Sequence, residues 1–264
     1  MEKLPLSTPS QVRGTKRVVY LGKSAPKRPL RAAAFVHPTA QLLGKNTLGK
    51  NCYIGAFCVV KNCVIGDNTR IEFCSHLQNC KIGENCEIYA SFLQDFRAKN
   101  ACKIQSSTAY GDVSVGAHCK ISRSEIYNQI TVGNNCNIGA FSHIHDGCTI
   151  GDFARVGNFV ELKHTTLNSR SKCAHLAYLG DGEVGANTNI GAGVIFCNYD
   201  GKNKHKTHVG DNCFIGSNCT LVAPVSLGND SFVGADSCVV DDIPRGSFFV
   251  RRTRETKLKE RRDG

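Results

Sequence analysis

The 264-residue sequence predicts an all-β fold, a left-handed parallel β-helix of hexapeptide repeats, with about 11–12 coils and short irregular basic termini. Three observations predict it. Large aliphatic residues recur every six positions; Gly or Asn commonly follows them, as in IGDN, IGEN and VGNN; and most cysteines stand at a fixed place in the same repeat. A helix would need a spacing near 3.6 and an amphipathic strand would alternate, so neither accounts for a period of six. In a hexapeptide coil each side of a triangular prism takes about six residues, the aliphatic side chain points inward, and Gly or Asn supplies the backbone of the corner.

Taken in order, residues 1–33 hold eight basic residues against Glu2 alone and carry +7. They contain no apolar run, so they are no secretory signal, and they are expected to form a flexible basic arm. Residues 34–250 form the β-helix domain. Its inward series runs Val36, Leu42, Leu48, Ile54 and Val60, then Val132, Ile138, Ile144, Ile150, Val156 and Leu162. It resumes at Val184 and Ile190, and again from Val209 through Ile215, Leu221, Leu227 and Val233 to Val239. Three stretches break the period, at 89–101, 168–182 and 196–208, and are expected to leave the prism; the last, rich in polar residues, is the expected arm or lid. Residues 251–264 form a basic tail of +4.

The two ends together hold all of the chain's +11, so the body is neutral. A neutral body offers no groove for a phosphate backbone, which argues against a nucleic-acid partner. No stretch of about 18 apolar residues occurs, which argues against a membrane span.

Twelve of the fifteen cysteines are assigned to the second inward position of a strand: Cys52, Cys58, Cys63, Cys80, Cys86, Cys102, Cys119, Cys136, Cys148, Cys213, Cys219 and Cys238. A free thiol is a small hydrophobe suited to that slot, and the absence of CxxC pairs removes zinc-site spacing. Reduced core thiols imply a cytoplasmic location.

Residues 155–252 carry VGNFVELK, AHLAYLGDGEVG, NTNIGAG, CNYDGKNKHKT, NCFIGSNCTLVAPV and VRRT. These blocks resemble the acetyltransferase domain of the bacterial bifunctional glucosamine-1-phosphate acetyltransferase/N-acetylglucosamine-1-phosphate uridyltransferases, a family of hexapeptide-repeat acyltransferases. The resemblance implies that His175 is the catalytic base, since an ammonium must lose its proton before nitrogen attacks a thioester. Glu161, on the preceding coil, is a candidate to orient that imidazole. Lys163 falls at the sugar-phosphate lysine, and Tyr178, Asn189, Asn198 and Tyr199 at the sugar-binding positions. Ala192, Ser217 and Ala235 fall where small residues admit acetyl-CoA, the implied co-substrate, and Arg252 falls at an arginine that meets its phosphates. No metal is implied; His143 and His145 show no obvious ligand spacing across coils.

Two departures qualify the resemblance. His145 stands where the family has a phosphate-binding arginine, so the substrate is glucosamine-1-phosphate or another amino sugar. Only 33 residues precede the first expected coil and they hold no Gly-rich phosphate loop, so the uridylyl step is expected to be absent from this chain, and a separately encoded uridyltransferase becomes a candidate partner. The resemblance also implies a homotrimer with sites between prisms. The alternative of another class is a non-catalytic trimeric scaffold acting through its basic ends.

Overall fold

The computed structural model describes residues 33–251, together with the strand segments Val12–Arg13 and Val18–Tyr20. Thirty-eight short strands stack into three parallel sheets of 14, 12 and 12 strands. The chain visits them in rotation: Ala34–Val36 lies on the first face, Gln41–Leu43 on the second and Asn46–Leu48 on the third. The result is a parallel β-solenoid of about 13 coils, and no helix occurs among the described residues.

Every aliphatic residue of the period-six series is buried, most of them completely. Corners are turned by residues of positive φ, among them Asn51, Asn68, Asn85, Asn135 and Asn187, at φ of 56° or 57°. Asparagine tolerates the left-handed region better than most side chains, and here its amide also bonds to the next coil, as Asn79 Nδ2 does with Asp95 Oδ1 at 2.9 Å.

Several coils are tighter than eighteen residues. Val64 faces Lys81, Lys81 faces Arg97 and Arg97 faces Ser114, steps of 17, 16 and 17 residues. This raises the coil count above the expected one, and it corrects two of the three expected interruptions. Residues 89–101 and 168–182 stay in the prism: Leu93, Phe96 and Ala98 fill the first of these coils, and Cys173, Ala177 and Leu179 the second. One residue lost at a corner shifts the period without expelling a strand. Only the third interruption is an insertion, since Glu183 faces His208, a step of 25 residues.

Before residue 34 the solenoid already has members: Val18–Tyr20 pairs with Ala34–Val36, and Val12–Arg13 with Asn46–Thr47. The remainder of the expected arm, and the expected tail beyond Arg251, lie outside the described residues.

All fifteen cysteines are free. Eleven of the twelve assigned to the inward slot are buried there. Cys238 is the exception and is exposed, because it immediately precedes Val239, and Ser237 occupies the slot. Cys173 is a further core thiol, in the large aliphatic position between Val156 and Ile190. The slot selects a small donor as well as a small volume. Cys102 Sγ reaches Gly116 O and Cys119 Sγ reaches Gly133 O at 3.0 Å, as the Thr69 and Thr188 hydroxyls reach Gly83 O and Gly210 O at 2.7 Å. Burial pushes the Cys52, Cys58 and Cys148 thiols up to about 11 and Cys173 to about 12, so these sulfurs stay protonated.

Candidate active site

Two groups of predicted residues come together, on either side of the corner that joins the first and second faces. The first is a column along that corner. Strand Lys172–His175 pairs with Arg155–Asn158 below, setting His175 above Asn158, and with Asn189–Ile190 above, setting Ala192 over His175. Backbone bonds carry the ladder on: Gly193 N donates to His175 O at 3.4 Å, Asn218 N to Ala192 O at 2.7 Å and Asp236 N to Ser217 O at 2.8 Å.

Ala192, Ser217 and Ala235 thus occupy one position on three successive coils, with exposed His175 at the end of their row. The coils approach closely there. A Cβ added at Gly191 would lie 2.6 Å from Ser217 N, and one at Gly216 only 2.3 Å from Ala235 N. The column therefore presents nothing larger than a hydroxymethyl group, and a long flexible arm can lie along it.

The second group lies on the second face. His145 N donates to Leu162 O at 2.8 Å, Glu161 faces Tyr178 and Lys163 faces Gly180. His145 Nε2 stands 3.0 Å from Glu161 Oε1. The carboxylate considered as an orienter of His175 is therefore engaged by His145. Burial, then His143, holds the His145 imidazole below the usual histidine range; Lys163 acts in the same direction and Glu161 opposes it. Burial, before any charge, raises the Tyr178 phenol, which the Asn198 amide meets.

Asn198 is buried, and its Nδ2 donates to Asp181 Oδ2 at 2.6 Å; Asp181 in turn stands 3.4 Å from His164 Nδ1. Gly180 completes the arrangement. A Cβ there would lie 2.5 Å from the Tyr178 hydroxyl and 2.6 Å from Asn198 Nδ2, so glycine leaves the space in which these two polar ends converge. Sequence reasoning missed Gly180 and Asp181. Their signal lies in AYLGD, where they directly follow the Tyr178–Leu179 pair.

Tyr199 stands on the inserted loop, which is braced rather than loose. Asp200 accepts the Lys202 and Asn203 N–H groups and pairs with His205 Nε2, all at 2.7 Å, and these bonds hold its carboxyl down to about 2. Tyr199 is exposed, forms a bridge with Lys204 and donates its hydroxyl to Gly201 O at 2.7 Å. Asn189 is not brought to the second-face group: it lies on the first face, between Lys172 and Phe214. Arg252 lies outside the described residues.

A family model described as bacterial transferase hexapeptide (six repeats) matches residues 47–79 and 129–164, and one described as hexapeptide repeat of succinyl-transferase matches residues 206–240. The chain is 42% identical over 234 residues to the bifunctional protein GlmU of Nitratidesulfovibrio vulgaris (strain DP4), covering 89% of this chain and 40% of that protein. It is 40% identical over 220 residues to GlmU of Koribacter versatilis, covering 83% and 36%. With GlmU of Thermodesulfovibrio yellowstonii it shares 34% identity over 223 residues, 84% of this chain and 38% of the relative. The chain spans about two fifths of the length of these curated relatives.

Proposed function

We propose that the chain is a hexapeptide-repeat acyltransferase and that it transfers acetyl from acetyl-CoA to the 2-amino group of glucosamine-1-phosphate, a step of UDP-N-acetylglucosamine biosynthesis. The observation that carries this is the corner itself. It sets one exposed imidazole at the end of a three-coil column of small residues, beside a face that bears Lys163, Tyr178 and Asn198.

Acetyl-CoA supplies the acetyl group as a thioester, and the Ala192–Ser217–Ala235 column fits its pantetheine arm in width. His175 takes the proton of the substrate ammonium, the freed nitrogen forms the amide bond, and the carbon–sulfur bond breaks to release CoA thiol. An imidazole suits this task because its ordinary pKa lies near neutral pH. Lys163 offers a point charge to the sugar phosphate. Tyr178 and Asn198 bind sugar hydroxyls, Tyr199 adds a contact from the braced loop, and Arg252 serves the CoA phosphates.

Asn189 faces away from Lys163 and Tyr178 in one chain, which supports a site completed by a neighbouring copy in a homotrimer. The neutral His145, held by Glu161 in place of a permanent cation, favours a second reading: an amino sugar whose phosphate is gripped less firmly, such as a nucleotide-linked one. The chain's buried free thiols suit the cytoplasm. No helix among the described residues is long and apolar enough to cross a membrane.

Replacement of His175 by Ala is the test. The variant should keep wild-type acetyl-CoA affinity and oligomeric state while turnover falls at least ~100-fold, the usual scale for loss of a general base. Undiminished turnover would remove His175 from the mechanism.

A further inference from the structure

The outward positions of the first face form a single register column: Glu87, Lys103, Lys120, Asn137, Arg155, Lys172 and Asn189. Four cations elsewhere on the solenoid are matched by carboxylates on the same or the next coil. Lys103 Nζ stands 3.0 Å from Glu87, Arg245 stands 2.9 Å from Asp230, and Arg70 and Arg97 pair with Glu72 and Asp112.

In the Arg155–Lys172 pair neither cation has such a partner among the described residues. The two are direct cross-strand neighbours of like charge, both exposed. Like charges in that relation repel. A third cation, Arg170, sits at the adjoining corner with its guanidinium 5.6 Å from the Phe153 ring centroid. Its plane is thereby held against an aromatic wall. Phe153, Arg170, Lys172, Asn187, Thr188 and Asn189 line a cleft of about 430 Å³.

We propose that Arg155, Arg170 and Lys172, with the amides of Asn187 and Asn189, form a binding site for a phosphoryl dianion on the first face. A dianion relieves the Arg155–Lys172 repulsion. Two guanidinium forks and one ammonium are the donors that phosphate oxygens take best, and the flanking amides supply neutral N–H donors to the remaining lone pairs. The site lies at the opposite end of strand Lys172–His175 from His175. It stands on charge and register, and does not require the acetyltransferase activity. A sugar phosphate and the phosphates of CoA share this chemistry.

The test is calorimetric titration of pyrophosphate, glucosamine-1-phosphate and CoA into the full chain at low salt. The comparison is wild type, the double variant Arg155→Gln/Lys172→Gln and the control Lys120→Gln, each also in a Lys163→Gln background. The site predicts that wild type binds pyrophosphate, that the double variant binds it at least ~10-fold more weakly in both backgrounds, and that the control stays within ~2-fold. An Arg155→Lys variant, which keeps the charge but loses the fork, should bind between wild type and the double variant. A matching loss for CoA identifies its phosphates as the natural ligand, and one for glucosamine-1-phosphate in the Lys163→Gln background identifies the sugar phosphate. Absence of pyrophosphate binding to wild type, or wild-type affinity in the double variant, overturns the site. Because no turnover is measured, failure here is separate from failure of the acetyltransferase assignment.

Discussion

Adding one methyl group at Gly180 should damage the amino-sugar subsite while leaving the cofactor column intact. The new Cβ would lie 2.5 Å from the Tyr178 hydroxyl and 2.6 Å from Asn198 Nδ2. Carbon contacts settle near ~3.5 Å, so one or both groups must retreat by about 1 Å. Asn198 is ill placed to yield, being buried and tied to Asp181 at 2.6 Å. Tyr178 is half-exposed and moves instead, outward from the space where it meets Asn198.

Overpacking of this kind costs about 1–3 kcal/mol of stability, and a ~1 Å misplacement of a positioning group costs about 100-fold in rate. Gly180→Ala should therefore lower kcat/KM for the amino sugar by about 100-fold, with KM for acetyl-CoA within ~2-fold of wild type. The double variant Gly180→Ala/Tyr178→Phe removes the closest atom but leaves Asn198 Nδ2 at 2.6 Å and the ring carbon at 2.8 Å, so it should recover stability only in part and activity not at all. Steady-state kinetics varied in each substrate, with thermal melts alongside, checks all three. If Gly180→Ala retains wild-type kcat/KM, the convergence of Tyr178 and Asn198 beside Gly180 has no part in substrate binding.

Two further outcomes follow from the same geometry. His145→Arg should restore a permanent cation, lowering KM for a phosphorylated amino sugar about tenfold at pH 8, worth ~1.4 kcal/mol. Because burial and His143 lower the His145 pKa, the native imidazole is neutral near pH 7; its contribution to stability is complete above the ordinary histidine value and declines as pH falls through it. Wild-type KM should accordingly approach that of His145→Arg only in acid, with His145→Arg itself reporting the titration of the phosphate; a constant ratio across pH contradicts this. In native protein, thiol reagent should modify Cys74 and Cys238 rapidly and Cys197 more slowly, the other twelve reacting only on unfolding. Rapid labelling of Cys102 or Cys119 would contradict the packed slot.

The period of six carried the architecture because each inward aliphatic is a local choice repeated coil after coil, and every residue of that series is buried. What it could not carry was the length of a side. A strand shortened by one residue, as around Asp95 at φ 51°, resembles an insertion in sequence although the prism continues through it. Cys238 shows the same sensitivity at single-residue scale: one position decides whether a thiol faces the core or solvent.

At the site, His175, Lys163, Tyr178 and Asn198 were legible through their motif blocks. The pairing of Glu161 with His145 was not, because it depends on which residues share a register position, and neither was the role of Gly180, which acts by the side chain it lacks. The column of Ala192, Ser217 and Ala235 sits between these cases. The residues were named from sequence, but their alignment with His175 emerges only when three coils of unequal length are stacked.

The central claim is acetyl transfer by this chain, and it is tested most directly by incubating the purified 264-residue protein with acetyl-CoA and glucosamine-1-phosphate and identifying the product by mass and proton NMR. The account predicts N-acetylglucosamine-1-phosphate and free CoA in equal amounts, with formation abolished to background in His175→Ala. Acetyl-CoA left intact in the presence of glucosamine-1-phosphate and of a panel of other amino sugars would contradict it.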